Sequence, residues 1–172
     1  MQNNSMPSYV EGLAEEISKK VMNCLKNFSP DVEVYSIDEA FVDLTGTEKL
    51  FKKNYIEIIK TIRETILNET DIPVSIGLST SKTLAKLASD KAKNTNGIYI
   101  INHDNIKMEM EKTKIEEIWG IGKNITITLK KKGILNCLEF INMPDAVLKQ
   151  LLGAKGLEMK HELLGEVISP VN

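Results

Sequence analysis

The chain has little of most features that would declare a specialised environment. Only two cysteines, Cys24 and Cys137, occur in its 172 residues. They stand far apart, with no CxxC or other metal-like spacing. That excludes a disulfide framework and makes a reduced, cytosolic compartment the simplest reading. The two histidines, His103 and His161, are likewise isolated and form no metal-ligand cluster. No apolar run approaches the roughly 18 residues needed to span a bilayer, so no membrane partner is expected. Met1–Pro7 lacks the basic and apolar blocks of a signal peptide. A dominant charge of one sign is missing too: 22 Lys+Arg against 24 Asp+Glu give a net charge of −2. Any nucleic acid must therefore be held by local basic patches rather than by the global field. There is no repeat of solenoid period and no low-complexity linker.

What is present is ordinary for a folded chain: 42% apolar and 27% charged residues, enough for one or two small domains. Tyr9–Asn27 reads as an amphipathic helix with Leu13, Ile17, Val21 and Leu25 at helical spacing. Ser29-Pro30-Asp31 breaks it. Val32–Leu44, rich in β-branched and aromatic residues, predicts a two-strand hairpin with Asp38-Glu39 near the bend. Leu50–Leu67 predicts a second helix burying Leu50, Phe51, Tyr55, Ile58, Ile59, Ile62 and Ile66. Val74, Ile76 and Leu78 alternate with small residues as a half-buried strand. Ser81 is placed to cap a helix running to about Lys93, and Ile98–Ile101 predicts a short strand. This order indicates a layered α+β domain with helices on a mostly antiparallel sheet. From residue 113 onward only short, glycine-punctuated helices are predicted, which puts a domain boundary near Lys112.

Three constellations carry chemistry. In Tyr35-Ser36-Ile37-Asp38-Glu39-Ala40-Phe41, two adjacent carboxylates sit inside an apolar β segment. On a regular strand they would point to opposite faces, so both can serve one site only at a turn or bulge. Beside Ile37 and Phe41 they call for a compensating partner, and a divalent cation is one; a plain polar hairpin tip is the other reading. In the helix after Ser79-Thr80-Ser81, Lys82, Lys86 and Lys93 fall within roughly 40° of one another, an edge suited to phosphate oxygens or simply a solvated face. Asp43 and Lys91 are assigned no such role. In Ile118-Trp119-Gly120-Ile121-Gly122-Lys123, followed by Lys130-Lys131-Lys132-Gly133, a helix, a tight glycine hairpin and a second helix are predicted. The start of that second helix can hold a DNA phosphate without reading bases, and a structural turn is the alternative. A weaker copy lies at Leu151–Gly156.

Taken in order, Y-S-I-D-E-A-F-V-D-L-T, then I-P-V-S-I-G-L-S-T-S-K-T-L-A-K-L-A-S-D-K-A-K, then W-G-I-G-K resemble the Y-family translesion DNA polymerases, on the UmuC-type branch. The resemblance implies a ferredoxin-like palm over 1–112 and an all-α helix-hairpin-helix thumb over 113–172. It implies that Asp38 and Glu39 are catalytic carboxylates binding two Mg²⁺ ions, and that Lys93 and Lys86 contact the incoming deoxynucleoside triphosphate. Gly120, Ile121, Gly122, Lys123 and Lys82 would hold the DNA backbone. The implied partners are primer–template DNA, the triphosphate and polymerase accessory proteins, in the DNA-damage (SOS) response. The family's remaining metal-binding carboxylate lies on a strand ahead of the fingers, and neither has a counterpart here, nor does the C-terminal little finger. The chain alone is therefore expected not to extend a primer, and a non-catalytic DNA-binding remnant is the alternative function. A nucleotide cyclase, which shares a related palm sheet, would not need the W-G-I-G-K hairpin.

Overall fold

The computed structural model describes the backbone of residues 8–172 and side chains from Glu16 onward. Expectations for Met1–Pro7 and for the side chain of Leu13 lie outside the described residues. The chain packs as two compact units, one ending at Val74 and rejoined by Val171–Asn172, the other covering Ser75–Pro170. Among the described residues there are four strands and eight α-helices.

The first unit contains α1 (Ser8–Lys26), the hairpin β1 (Val32–Ser36) and β2 (Glu39–Val42), α2 (Thr47–Phe51) and α3 (Tyr55–Thr70). Ile58, Ile59, Ile62 and Ile66 of α3 are buried, as their spacing predicts, together with Met22 and Cys24 of α1. Of the expected α1 stripe, Val21 and Leu25 are half-buried, while Ile17 remains 37% exposed. The helix expected as one rod over 50–67 is two. Lys52 adopts a left-handed conformation and the Asn54 side chain accepts the Glu57 N–H at 2.9 Å, so a new helix is capped where the old one would continue. Leu50 is left on α2, 74% exposed, while Phe51 packs on Phe28 with ring centroids 5.8 Å apart. Below the hairpin, buried Ser29 donates its hydroxyl to the Asp43 carbonyl (2.6 Å) and accepts the Asp31 N–H (3.1 Å), which closes its open end.

The second unit runs β3 (Ile76–Leu78), α4 (Lys82–Ala92), β4 (Ile98–Ile100), α5 (Ile106–Lys112), a 3-10 turn at Ile115–Glu117, α6 (Lys123–Lys131), α7 (Cys137–Ile141) and α8 (Asp145–Leu163). β3 and β4 pair in parallel, whereas β1 and β2 are antiparallel. The expectation of a mostly antiparallel sheet therefore holds only for the hairpin. The reason is topological: α4 carries the chain back along β3, so β4 starts from the same end. α4 lies against the Gly77 face of β3, where a Cβ would stand 2.2 Å from the Ser89 backbone nitrogen. One apolar core joins Leu84, Leu87 and Ala88 of α4 to Met110, Leu129, Phe140, Leu148 and Leu163, on both sides of Lys112.

α8 is not one rod. Gly153 sits at φ 74, ψ −167, and Lys160 Nζ meets Asp145 Oδ1 at 2.6 Å. A straight helix rising about 1.5 Å per residue would separate those residues by roughly 22 Å. The segment therefore folds back at Gly153, in the stretch that the sequence marks as a second glycine hairpin.

Candidate functional site

The hairpin provides the device that adjacent carboxylates need. Its register pairs Val34 with Ala40 and Ser36 with Glu39, so Tyr35 is the extra, bulged residue, and Ile37-Asp38 form the turn. Asp38 is exposed at that turn, its Oδ1 accepting the Ser36 hydroxyl at 2.9 Å; Glu39, half-buried, is the first residue of β2. The bulge and turn break the strict alternation of faces. Around the pair, Val34, Tyr35 and Ile37 are each more than half exposed, and Tyr35 meets Phe41 edge-on at 6.1 Å. Among the described residues no cluster of three or more His, Cys, Asp or Glu side chains is set to hold a metal. Asp43 has a local role: hydrogen bonds from Thr45, hydroxyl first and then N–H, hold its carboxyl below the usual carboxylate range.

The lysine edge belongs to the second unit. Ser81 caps α4, accepting the Leu84 N–H at 3.3 Å. Lys86 and Lys93 both reach Asp90 Oδ1, at 3.2 and 3.5 Å. The edge is thus not purely cationic: one carboxylate lies between two of its ammonium groups. That spacing, lysines at i−4 and i+3 from Asp90, was available in the sequence. Lys91 points elsewhere, into a network that sequence reasoning missed. Its Nζ lies 2.5 Å from Glu109 Oε2 and 3.0 Å from the Thr113 hydroxyl, and the Tyr99 hydroxyl donates to Glu109 Oε1. Nothing local marks Glu109, a charged residue on a short helix.

The glycine hairpin has its core anchored and its tip open. Ile118 and Ile121 are buried, while Gly120, Gly122 and Lys123 are exposed. Gly120 takes φ 92, a conformation that side chains disfavour, and Gly122 opens α6 with no side-chain cap. The limb before the hairpin is a single 3-10 turn rather than an α-helix. Thr113 and Lys114 are held extended by Cys137 N–H to the Thr113 carbonyl (2.8 Å) and Ile115 N–H to the Leu135 carbonyl (3.2 Å), leaving room for one turn. α6 ends as expected at Gly133: its N–H bonds the Lys130 carbonyl and the Ile134 N–H bonds the Leu129 carbonyl, both at 3.0 Å. In the triple-lysine run, Lys130 pairs with Glu116 at 3.5 Å.

Asp38 and Glu39 thus lie in the first unit, and Lys82, Lys86, Lys93 and Gly120–Lys123 in the second. No helix among the described residues is long and apolar enough to cross a membrane.

A hairpin bearing adjacent carboxylates, a lysine-edged capped helix and a glycine hairpin can be set beside known proteins. The sequence profile of the impB/mucB/samB family matches residues 6–90. Protein UmuC of Salmonella typhimurium is 33% identical over 159 residues, covering 90% of this chain and 37% of that protein. DNA polymerase IV of Picrophilus torridus is 35% identical, covering 91% of this chain and 44% of that protein. Among solved structures, DinB from Sulfolobus solfataricus superposes with a TM-score of 0.77 at 30% identity, covering 94% of this chain and 48% of that one. The insertion ternary complex of Dbh DNA polymerase superposes with a TM-score of 0.79 at 29% identity over 94% of this chain and 47% of that one. The fold is a mixed α+β one that matches domains of Y-family polymerases. The chain belongs to the impB/mucB/samB family, with UmuC and DNA polymerase IV among its relatives. It spans less than half the length of these curated relatives.

Proposed function

We propose that this chain is the palm and thumb of a DNA-directed DNA polymerase of the translesion, DNA-repair type, with the palm over 1–112 and a helix-hairpin-helix thumb over 113–172. The observation that carries it is the Asp38-Glu39 pair at a bulged hairpin turn, in a chain whose relatives are named DNA polymerases. The donor set fits Mg²⁺: two carboxylates supply hard oxygen ligands, and the exposed Asp38 gives up only a neutral hydroxyl to accept a cation. Divalent ions bound there would activate an attacking primer hydroxyl and offset charge on the leaving pyrophosphate. Lys93 and Lys86 would contact the triphosphate. Lys82 and the Gly120-Ile121-Gly122-Lys123 tip would hold the DNA backbone, where an uncapped helix start and an ammonium group favour phosphate.

Titration with Mg²⁺ or Mn²⁺, followed by amide NMR, should perturb Tyr35–Phe41 first; perturbation centred on Glu109–Glu117 refutes the metal assignment. Binding to duplex DNA should be independent of sequence and salt-sensitive. Lys123→Ala should reduce the slope of log K against log salt by about one phosphate contact. An unchanged slope would reduce the hairpin to a structural turn.

A further inference from the structure

Glu162 is buried, 6% exposed, near the end of α8, yet its carboxylate is spent on distant backbone. Oε2 accepts the N–H of Thr83, in the first turn of α4, at 3.0 Å. Oε1 accepts the N–H groups of Ile168 and Ser169, at 3.3 and 3.1 Å. The Glu162 carbonyl also accepts the Ser81 hydroxyl at 2.6 Å. The chain then turns at Gly165, φ +93, so close that a Cβ there would stand 2.6 Å from Thr80 Oγ1. Ser81 and Thr83 are thus tied to a segment some eighty positions later in the chain, which passes close to Thr80.

A helix start exposes N–H groups that lack partners within the helix, and the helix dipole favours an anion there. The Ser79-Thr80-Ser81-Lys82-Thr83 segment entering α4 has the make-up of a place where a phosphate would bind at a helix N-terminus. In α4 that position is filled from within: Ser81 takes the Leu84 N–H and Glu162 takes the Thr83 N–H.

We propose that Glu162 is a built-in anion for α4: a positioning residue that fastens residues 165–169 to the helix start and keeps external phosphate off it. Phosphate groups then meet α4 only along its lysine edge, a corollary that rests on the function proposed above. The fastening itself does not depend on that function.

Two amide-resolved measurements on the full chain test this. In hydrogen exchange, Glu162→Ala should lower protection at Thr83, Ile168 and Ser169 together, by about tenfold or more at each, since each loses a bond to a charged acceptor. Amides of Leu129–Ile134, elsewhere in the same unit, should be unchanged. Glu162→Gln, which keeps one accepting oxygen, should weaken either Thr83 or the Ile168–Ser169 pair but not all three, and it serves if the alanine variant fails to fold. In the second measurement inorganic phosphate is titrated. The Thr83 amide should be silent in the native chain and should shift once the carboxylate is removed, a response that a merely structural contact would not produce. A phosphate shift at Thr83 in the native chain, or intact protection at Ile168 and Ser169 in Glu162→Ala, overturns the proposal. A triphosphate titration that leaves Lys86 and Lys93 unmoved, with the Thr83 results as expected, would defeat their triphosphate role and leave the built-in anion standing.

Discussion

The Lys91–Glu109 pair permits a quantitative test of what holds the second unit together. Glu109 is 2% exposed, and its two oxygens are served by Lys91 at 2.5 Å and by the Tyr99 hydroxyl. Lys91→Met removes the cation in direct contact with that carboxylate. Leaving one member of a buried pair uncompensated typically costs about 3–5 kcal/mol. The Tyr99 hydroxyl still serves one oxygen, so we expect about 3 kcal/mol. Glu109→Gln should cost less, about 1–2 kcal/mol, because the stranded Lys91 side chain is already 23% exposed and can reach water. The two changes share one interaction, so the double variant should lose less than their sum. Burial by itself would raise the Glu109 pKa, but hydrogen bonds from Lys91 and Tyr99, with the Lys91 and Lys112 charges, bring it below the usual value. A carboxyl lowered in the folded state contributes stability that is complete above its unfolded pKa of about 4.3 and is lost as pH falls through the folded value. In Lys91→Met the lowering partner is gone and burial dominates, so this acid-linked loss should vanish or reverse sign. Urea denaturation across pH 3–7 reads both effects. A cost below about 1 kcal/mol for Lys91→Met with the acid dependence intact would refute the reasoning.

Other changes follow from the same geometry. Gly77→Ala should disrupt the packing of β3 on α4, costing about 3 kcal/mol or more by thermal denaturation, because the new Cβ would meet the Ser89 nitrogen at 2.2 Å and the Ala85 carbonyl at 2.3 Å. Gly153→Ala forces a side chain into φ 74, ψ −167, a region open essentially to glycine, and should cost about 1–3 kcal/mol; loss of the Asp145–Lys160 contact would be visible by NMR. Both thiols should resist alkylation at pH 8 until the chain unfolds: burial pushes Cys24 up to about 11, with the neighbouring Glu69 adding to the rise, and Cys137 up to about 12. Rapid labelling of either under native conditions would contradict its burial. Tyr99 is pushed up to about 12, first by its hydrogen bond to Glu109. Its contribution to stability should be complete below its unfolded value of about 10 and disappear as pH rises through 12, which absorbance titration of the phenolate can follow.

The sequence by itself determined what depends on near neighbours. The hairpin with Asp38-Glu39 at its bend, the Ser81 cap, the glycine stop of α6 and the α3 face formed by Ile58, Ile59, Ile62 and Ile66 each follow from residues a few positions apart. Local reading failed where a second local signal competed, as at Asn54, whose cap divides one predicted helix into two. Order along the chain was enough to suggest the family, because the three motifs are themselves contiguous. Only the tertiary structure decided the parallel pairing of β3 with β4, the fold-back at Gly153, the Lys91–Glu109–Tyr99 network and the attachment of Glu162 to α4. Glu109 and Glu162 look like surface acids on polar helices, and their burial is set by partners 18 and 79 residues away. A buried carboxylate is stable only where such partners converge, and convergence belongs to the folded chain, not to any window of its sequence.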